Sequence, residues 1–234
     1  MNKQQLAAKI WESANKMRSK IEANEYKDYI LGFIFYKFLS EKEVKYLAGQ
    51  ICRLVEASRG HTLVLFTSYA LMGAVYNQVK DRLPFPLLEV WRHSSDMIHK
   101  FKHSNNAVLF AAGSCWEGVD FPGDMVSSLI IVRLPFSVPN PLSEAEREQY
   151  PSLQDYIRAV IIPDMQVKLR QGFGRAIRTE TDTCVISILD HRAAPGERYH
   201  QAVLEALPNL RITRKIKEVE EFIRAKKSSD YFLS

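Results

Sequence analysis

The chain has 234 residues, 46% of them hydrophobic and 25% charged, with a formal net charge of +5. Those values are ordinary for a folded globular protein, leave room for one large domain or two modest ones, and permit a nucleic-acid partner without requiring one. Cys52, Cys115 and Cys184 lie far apart with no CxxC pair, which argues against a disulfide framework, a zinc site or an iron–sulfur cluster and fits a reducing cytoplasm. The longest apolar run, Ile30 to Leu39, is interrupted by Lys37 and reaches about half the length of a membrane-spanning helix. The opening residues lead straight into an amphipathic pattern and not a signal core. The expectation is a soluble cytoplasmic protein.

In chain order, Leu6, Ile10, Ala14, Met17 and Ile21 recur at helical spacing, with Trp11 widening the face. A second helix is expected from about Tyr26 to Glu43. Its apolar residues cover more than one face and want neighbours on several sides, on another domain or another chain. Residues 1–46 carry nine Lys/Arg and six Asp/Glu, a local charge of about +3. From Leu47 the character changes. Leu47, Ile51, Leu54 and Val55 read as a short helix ending near Gly60. Strand candidates follow at Thr62–Phe66, Leu87–Trp91, Ala107–Ala112, Leu129–Val132 and Cys184–Leu189. Helices are expected at Leu71–Leu83, Ile98–His103, Met165–Ile177 and Ile212–Ala225. Short apolar runs alternating with helices indicate an α/β fold, a parallel sheet with helices on both faces, preceded by an all-helical segment. The boundaries read as 1–46, 47–225 and a loose tail at 226–234.

Ligands of such sheets collect at the carboxyl ends of the strands, and three polar clusters fall there. Thr67-Ser68-Tyr69 follows the first strand. Its hydroxyls and free amides suit either a nucleic-acid phosphate or a plain helix N-cap. Gly113 to Gly123 follows the third strand, and its acids Glu117 and Asp120 can hold a ribose hydroxyl or arginines; a structural turn is the alternative. Trp116 in that loop either stacks on a base or packs at the sheet edge. Gln171-Gly172-Phe173-Gly174-Arg175-Ala176-Ile177-Arg178 places two arginines three apart, on one face if the helix continues. The glycines would admit a phosphate chain to the backbone. Arginine pairs of this kind stabilise charge on a transferring phosphoryl group. His93, His99 and His103 have spacing a metal could use, but no metal site is expected.

These segments resemble motifs IV, V and VI of superfamily 2 helicases of the XPD/DinG type. Leu65-Phe66-Thr67-Ser68-Tyr69 is similar to motif IV, Trp116 to Gly123 to motif V, and Gln171 to Arg178, with Asp182, to motif VI. Leu134-Pro135-Phe136, with Pro139 and Pro141, matches the segment that follows motif V in that family. Cys184 stands where relatives often have glycine. The resemblance covers about residues 47–225 and implies a RecA-like second motor domain. It implies that Arg175, Arg178 and Gln171 act on the nucleotide phosphates, with Gly174 and Asp182 beside them. It also implies that Glu117, Gly118 and Asp120 couple nucleotide to DNA, and that Thr67, Ser68, Tyr69 and Trp116 meet the nucleic acid. The chain contains no GxxxxGK[ST] phosphate loop, no Asp-Glu-x-His box and no cysteine cluster. ATP with Mg²⁺ is therefore expected only when a first motor domain, in another chain or missing, completes the site. No iron–sulfur cluster is expected in this chain, and single-stranded DNA is the expected partner.

The first 46 residues resemble a different family. Leu6 to Trp11, Ala14, Tyr26 to Leu31 and Phe38-Leu39-Ser40 are similar to the N-terminal helices of type I restriction-modification methyltransferase subunits. That resemblance implies contact with restriction-modification subunits. The methyltransferase domain itself, with its glycine-rich cofactor loop and Asn-Pro-Pro-[Phe/Tyr] motif, is absent from these 234 residues.

Overall fold

In the computed structural model, residues 23–91, 95–116, 121, 125–137, 141–177, 182–207 and 211–232 are described. The helix expected over Leu6–Ile21 and the side chains of Ile30–Leu39 lie outside that description, as do Glu117, Gly118, Asp120, Arg178 and His93. The chain divides into two units, Met1–Tyr46 and Leu47–Ser234.

The second unit is organised by five parallel strands: β1 (Thr62–Phe66), β2 (Leu87–Val90), β3 (Val108–Ala112), β4 (Ser128–Ile131) and β5 (Val185–Ile188). Their order in the sheet is β2-β3-β1-β4-β5. Every residue of β1, β3 and β4 is buried, whereas the edge strand β5 is only half-buried. Central strands of a parallel sheet are covered on both faces, which is why they read as unbroken apolar runs.

Side chains alternate across a strand, and the two faces separate accordingly. Leu63, Leu65, Leu109, Ala111, Leu129 and Ile131 form one cluster with Phe101, Met165, Leu169 and Val203. These last four belong to α3 (Ser95–Lys102), α6 (Ile162–Phe173) and α7 (His200–Ala206). The alternate residues Val64, Phe66 and Phe110 are fully buried. They lie on the side of α2 (Tyr69–Val79), whose Tyr76 meets Phe110 edge-on with centroids 5.7 Å apart.

Several helices depart from the sequence expectation. One helix, α1 (Ala23–Ala57), replaces the two expected at Tyr26–Glu43 and Leu47–Val55; Val44-Lys45-Tyr46 between them contains nothing that breaks a helix. α1 ends in a Schellman turn, in which the amides of Arg59 and Gly60 donate to the carbonyls of Glu56 and Val55 at 3.2 and 3.0 Å. The left-handed position of the cap is Arg59 (φ 56°), followed by Gly60 at φ 81°. Gly60 must be glycine, because a Cβ there would stand 1.9 Å from the Asn106 carbonyl oxygen.

The helix expected at Met165–Ile177 begins earlier and ends earlier. A helical run starts at α5 (Leu153–Tyr156), passes through a π turn at Ile157–Ile161, and continues as α6 to Phe173. Pro163 has no amide to donate and its ring crowds the preceding turn. The chain absorbs it by widening locally, with the Ile162 amide donating to the Ile157 carbonyl five residues back. α4 (Pro141–Arg147) and α7 carry no expectation from the sequence reading.

The last stretch is docked and not loose. After α8 (Ile216–Lys226), a 3₁₀ turn at Ser229–Phe232 brings Tyr231 onto His61, with ring centroids 4.2 Å apart and planes 21° from parallel. The Tyr231 hydroxyl donates to the Ser58 carbonyl at 2.6 Å, and Lys227 Nζ donates to the Thr183 carbonyl at 2.9 Å. The tail is tied to the end of α1 and to the approach to β5. Among the described residues, no helix is long and apolar enough to cross a membrane.

Candidate functional site

The polar clusters emerge where strand geometry places them. Phe66 pairs with Ala112 and Leu65 with Ile131, so β1, β3 and β4 end nearly level. Thr67 follows β1, Gly113 follows β3, and Leu134-Pro135-Phe136 follows β4, all at the carboxyl edge. α6 packs across that edge against the short 3₁₀ turn Gly113–Trp116.

Trp116 joins three of these segments. It is only 6% exposed. Its Nε1 donates to the Phe66 carbonyl at 2.9 Å, one residue before Thr67. Its own carbonyl accepts from Arg175 Nε at 3.3 Å. Its ring covers Gly172 so closely that a Cβ there would stand 2.9 Å from ring carbon Cζ3. The sequence left Trp116 open between base stacking and packing. Burial and these three engagements rule out an exposed stacking face, so its assignment as a nucleic-acid contact is corrected to a structural joint.

The arginine segment also needs correction. α6 stops at Phe173, with Gly174 as its C-cap at φ −62°. Arg175 sits in the turn beyond, its amide donating to the Gly172 carbonyl at 3.2 Å. The helix therefore does not continue through Arg175, and Arg178 lies outside the described residues. The Gly174 amide is already committed to the Arg170 and Gly172 carbonyls, so it does not offer a backbone phosphate contact. The end of a helix is the negative end of its dipole. That end favours the Arg175 cation and leaves any phosphate binding here to side chains. Arg175 is half-buried, Gln171 is exposed, and Asp182 is half-buried just before β5.

Ser68 is the N-cap of α2, its hydroxyl accepting from the Leu71 amide at 3.4 Å. Thr67 and Ser68 are exposed, so capping leaves the Ser68 hydroxyl hydrogen free to face solvent or a phosphate. Tyr69 is half-buried, and its hydroxyl donates to the Ala112 carbonyl at 3.3 Å. Gly113 makes room for it: its φ is +64°, and a Cβ would stand 2.8 Å from the Tyr69 hydroxyl.

One element of the edge escaped the sequence reading. Asp190, just past β5, has no exposed side-chain surface. It accepts the Leu134 amide at 3.0 Å and is gripped by Arg192 through Nε at 2.9 Å and Nη2 at 2.6 Å. Burial by itself would raise the Asp190 pKa. The hydrogen bonds from Arg192 and the Leu134 amide outweigh it and hold the carboxyl below its ordinary value. The Arg192 guanidinium in turn lies 5.0 Å from the Phe136 ring centroid, and Phe136 packs on Tyr199 at 4.8 Å. The latch fixes the Leu134-Pro135-Phe136 segment. A buried acid directly after a strand was the available signal, but its partner lies 56 residues away.

Among the described residues no group of His, Cys, Asp or Glu is arranged to hold a metal. His99 and His103 stack on each other at 4.2 Å.

A five-stranded parallel sheet covered by helices, with polar loops gathered at its carboxyl edge, defines a RecA-like α/β domain. Residues 51–210 match the helicase C-terminal domain family, and the chain belongs to it. The ATP-dependent DNA helicase YoaA of Haemophilus influenzae is 37% identical over 178 residues, covering 74% of this chain and 27% of the relative. The 3'-5' exonuclease DinG of Bacillus subtilis is 32% identical over 174 residues, covering 70% of this chain and 19% of the relative. The chain thus spans about a quarter or less of the length of these curated relatives. A solved XPD helicase shares the fold with a TM-score of 0.57 at 21% identity, over 71% of this chain and 31% of that one. Residues 6–71 are similar to the HsdM N-terminal domain family, a match that reaches past Tyr46 and overlaps the helicase match.

Proposed function

We propose that this chain acts as the second motor domain of an XPD/DinG-type DNA helicase. It supplies Arg175, with Arg178 and Gln171, to nucleotide phosphates, and Thr67 and Ser68 to a single strand's backbone. The observation that carries this reading is the joint at Trp116. One residue links the arginine turn through its carbonyl and the Thr67–Ser68 loop through its indole.

ATP with Mg²⁺ supplies the transferable phosphoryl group when bound. The donors present fit the phosphate end of a nucleotide through side chains, since the Gly174 amide is committed. Arg175 is tied to the joint by its Nε bond to the Trp116 carbonyl, and its planar guanidinium has the chemistry to meet phosphate oxygens. Glu117, Gly118 and Asp120 follow the joint in sequence and would carry nucleotide state toward the DNA loop; Asp182 would stand beside the nucleotide with Gln171. A phosphate loop must come from a first motor domain, in another polypeptide or another stretch of the same one.

The test has two arms. A labelled single-stranded oligonucleotide should bind the chain, and Thr67→Ala should weaken that binding. Adding a first motor domain of this family should give DNA-stimulated ATP hydrolysis that Arg175→Ala abolishes. Absence of strand binding by the wild type, or hydrolysis indifferent to Arg175, overturns the reading.

The similarity of residues 6–71 to the HsdM N-terminal domain favours a second reading, an interaction module for restriction-modification subunits. Co-purification with a type I specificity subunit supports it, and a monomer that ignores such subunits removes it.

A further inference from the structure

The geometry points to a nucleobase-stacking platform built from Trp91 and Tyr69, a subsite that rests on the nucleic-acid reading above and adds base contact to it. Trp91 follows β2 directly. Val90 pairs with Ala111, and Leu65 pairs with the same residue from the other side. Trp91 therefore leaves the sheet one row above, at the same carboxyl edge as Thr67, two strand spacings or roughly 10 Å from β1.

Tyr69 closes that gap. It reaches over the end of β3, anchored by its hydroxyl on the Ala112 carbonyl, and stacks on Trp91 with ring centroids 5.7 Å apart and planes 17° from parallel. The indole edge rests on the first turns of α2 at Gly73, where an added Cβ would meet it at 3.4 Å. The pair is fixed from below by packing and from the side by a hydrogen bond. Trp91 nonetheless remains 44% exposed, one of few large apolar side chains in the described chain that do so.

A rigid, half-open aromatic surface beside exposed hydroxyls at a helix N-terminus has two complementary parts. The Thr67–Ser68 end meets phosphate. The aromatic end offers a flat π face, which any base can use irrespective of sequence. The occupant that matches both parts is a single nucleic-acid strand, with backbone at Thr67–Ser68 and a base on Trp91. Duplex is excluded from this arrangement because its bases are already stacked.

The experiment compares the full chain with Trp91→Ala, Trp91→Leu and Trp91→Phe. The probes are a labelled single-stranded oligodeoxythymidine and an abasic strand of equal length, followed by anisotropy. Loss of the stack should weaken oligodeoxythymidine binding by roughly 5- to 150-fold in Trp91→Ala. Trp91→Leu preserves apolar volume without a π face and should lose as much, whereas Trp91→Phe should stay within a few-fold of wild type. The abasic strand should bind wild type and Trp91→Leu equally. A wild type that binds the base-containing strand while Trp91→Leu binds it just as well overturns the platform alone. Equal losses on the abasic strand also overturn it. A wild type that binds neither strand overturns the nucleic-acid reading and the platform together.

Discussion

The Trp116 indole occupies the space that a side chain on Gly172 would need: a Cβ there would stand 2.9 Å from Cζ3 and 3.0 Å from Cε3. In an isolated helix, alanine for glycine would gain up to about 1 kcal/mol. Here the ring cannot retreat, because it is buried and its Nε1 is bonded to the Phe66 carbonyl. Overpacking of this kind costs about 1–3 kcal/mol, so the clash wins. Gly172→Ala should lower the melting temperature by a few degrees, read by thermal circular dichroism. A stabilised variant would show that the ring moves freely.

Trp116→Phe probes the same joint from the other side. An aromatic ring is kept, but the second ring of the indole is lost together with the N–H given to Phe66, so a small cavity adds to the lost bond. A buried carbonyl losing its donor costs about 1–3 kcal/mol. Denaturant midpoints should fall accordingly. The Thr67–Ser68 loop, released at Phe66, should also bind single-stranded DNA more weakly. Stability loss with DNA affinity unchanged would mean the joint holds the fold without governing that loop.

Much of this arrangement is legible in the amino-acid sequence. Thr62–Phe66, Leu87–Trp91 and Ala107–Ala112 stand out in the sequence as short apolar runs, and strands form at Thr62–Phe66, Leu87–Val90 and Val108–Ala112. The carboxyl-edge clusters follow from the alternation of strands and helices. What stayed hidden depends on contacts between distant segments. Gly172 reads as a phosphate glycine until Trp116 is seen lying on it. Arg175 reads as a helix residue until Gly174 is seen capping α6 before it. Asp190 looks like an ordinary turn acid until Leu134 and Arg192 are found on it. Pro163 hides a helical run because its π turn has no local signature.

The Asp190 latch gives a pH-dependent prediction. The folded carboxyl is held below its ordinary value, while an unfolded aspartate titrates near about 3.9. Its contribution is thus complete above that unfolded pKa and is lost as pH falls through the lower folded one. Asp190→Asn removes this contribution. Arg192 is partly exposed, so the cost at pH 7 should fall at about 1–3 kcal/mol, below that of a fully buried pair. Urea midpoints of wild type and variant should differ at pH 7 and converge below about pH 4. A gap constant across that range would mean Asp190 is not ionised in the fold.

Tyr231 tests whether the docked end of the chain contributes to stability. Tyr231→Phe keeps the stack on His61 and loses the bond to the Ser58 carbonyl, at a cost of about 1 kcal/mol. Tyr231→Ala loses both and should cost about 1–3 kcal/mol. Chemical denaturation ranks the two. A tail that is merely draped would show no difference from wild type in either.

Ser68 has two roles that one substitution can separate. As the N-cap of α2 it accepts the Leu71 amide, and aspartate caps at least as well as serine. A carboxylate at a helix N-terminus is further favoured by the dipole. Ser68→Asp should therefore leave the melting temperature unchanged or slightly raised. If Ser68 also faces a strand's phosphate, the same carboxylate repels it, and single-stranded DNA binding should drop at least tenfold at low salt, with the loss shrinking as salt screens the charges. Ser68→Ala gives the opposite pattern, with helix stability lowered by about 0.5–2 kcal/mol and a smaller loss of affinity. Ser68→Asp that binds DNA as well as wild type would confine Ser68 to capping and move the phosphate contact elsewhere on the edge.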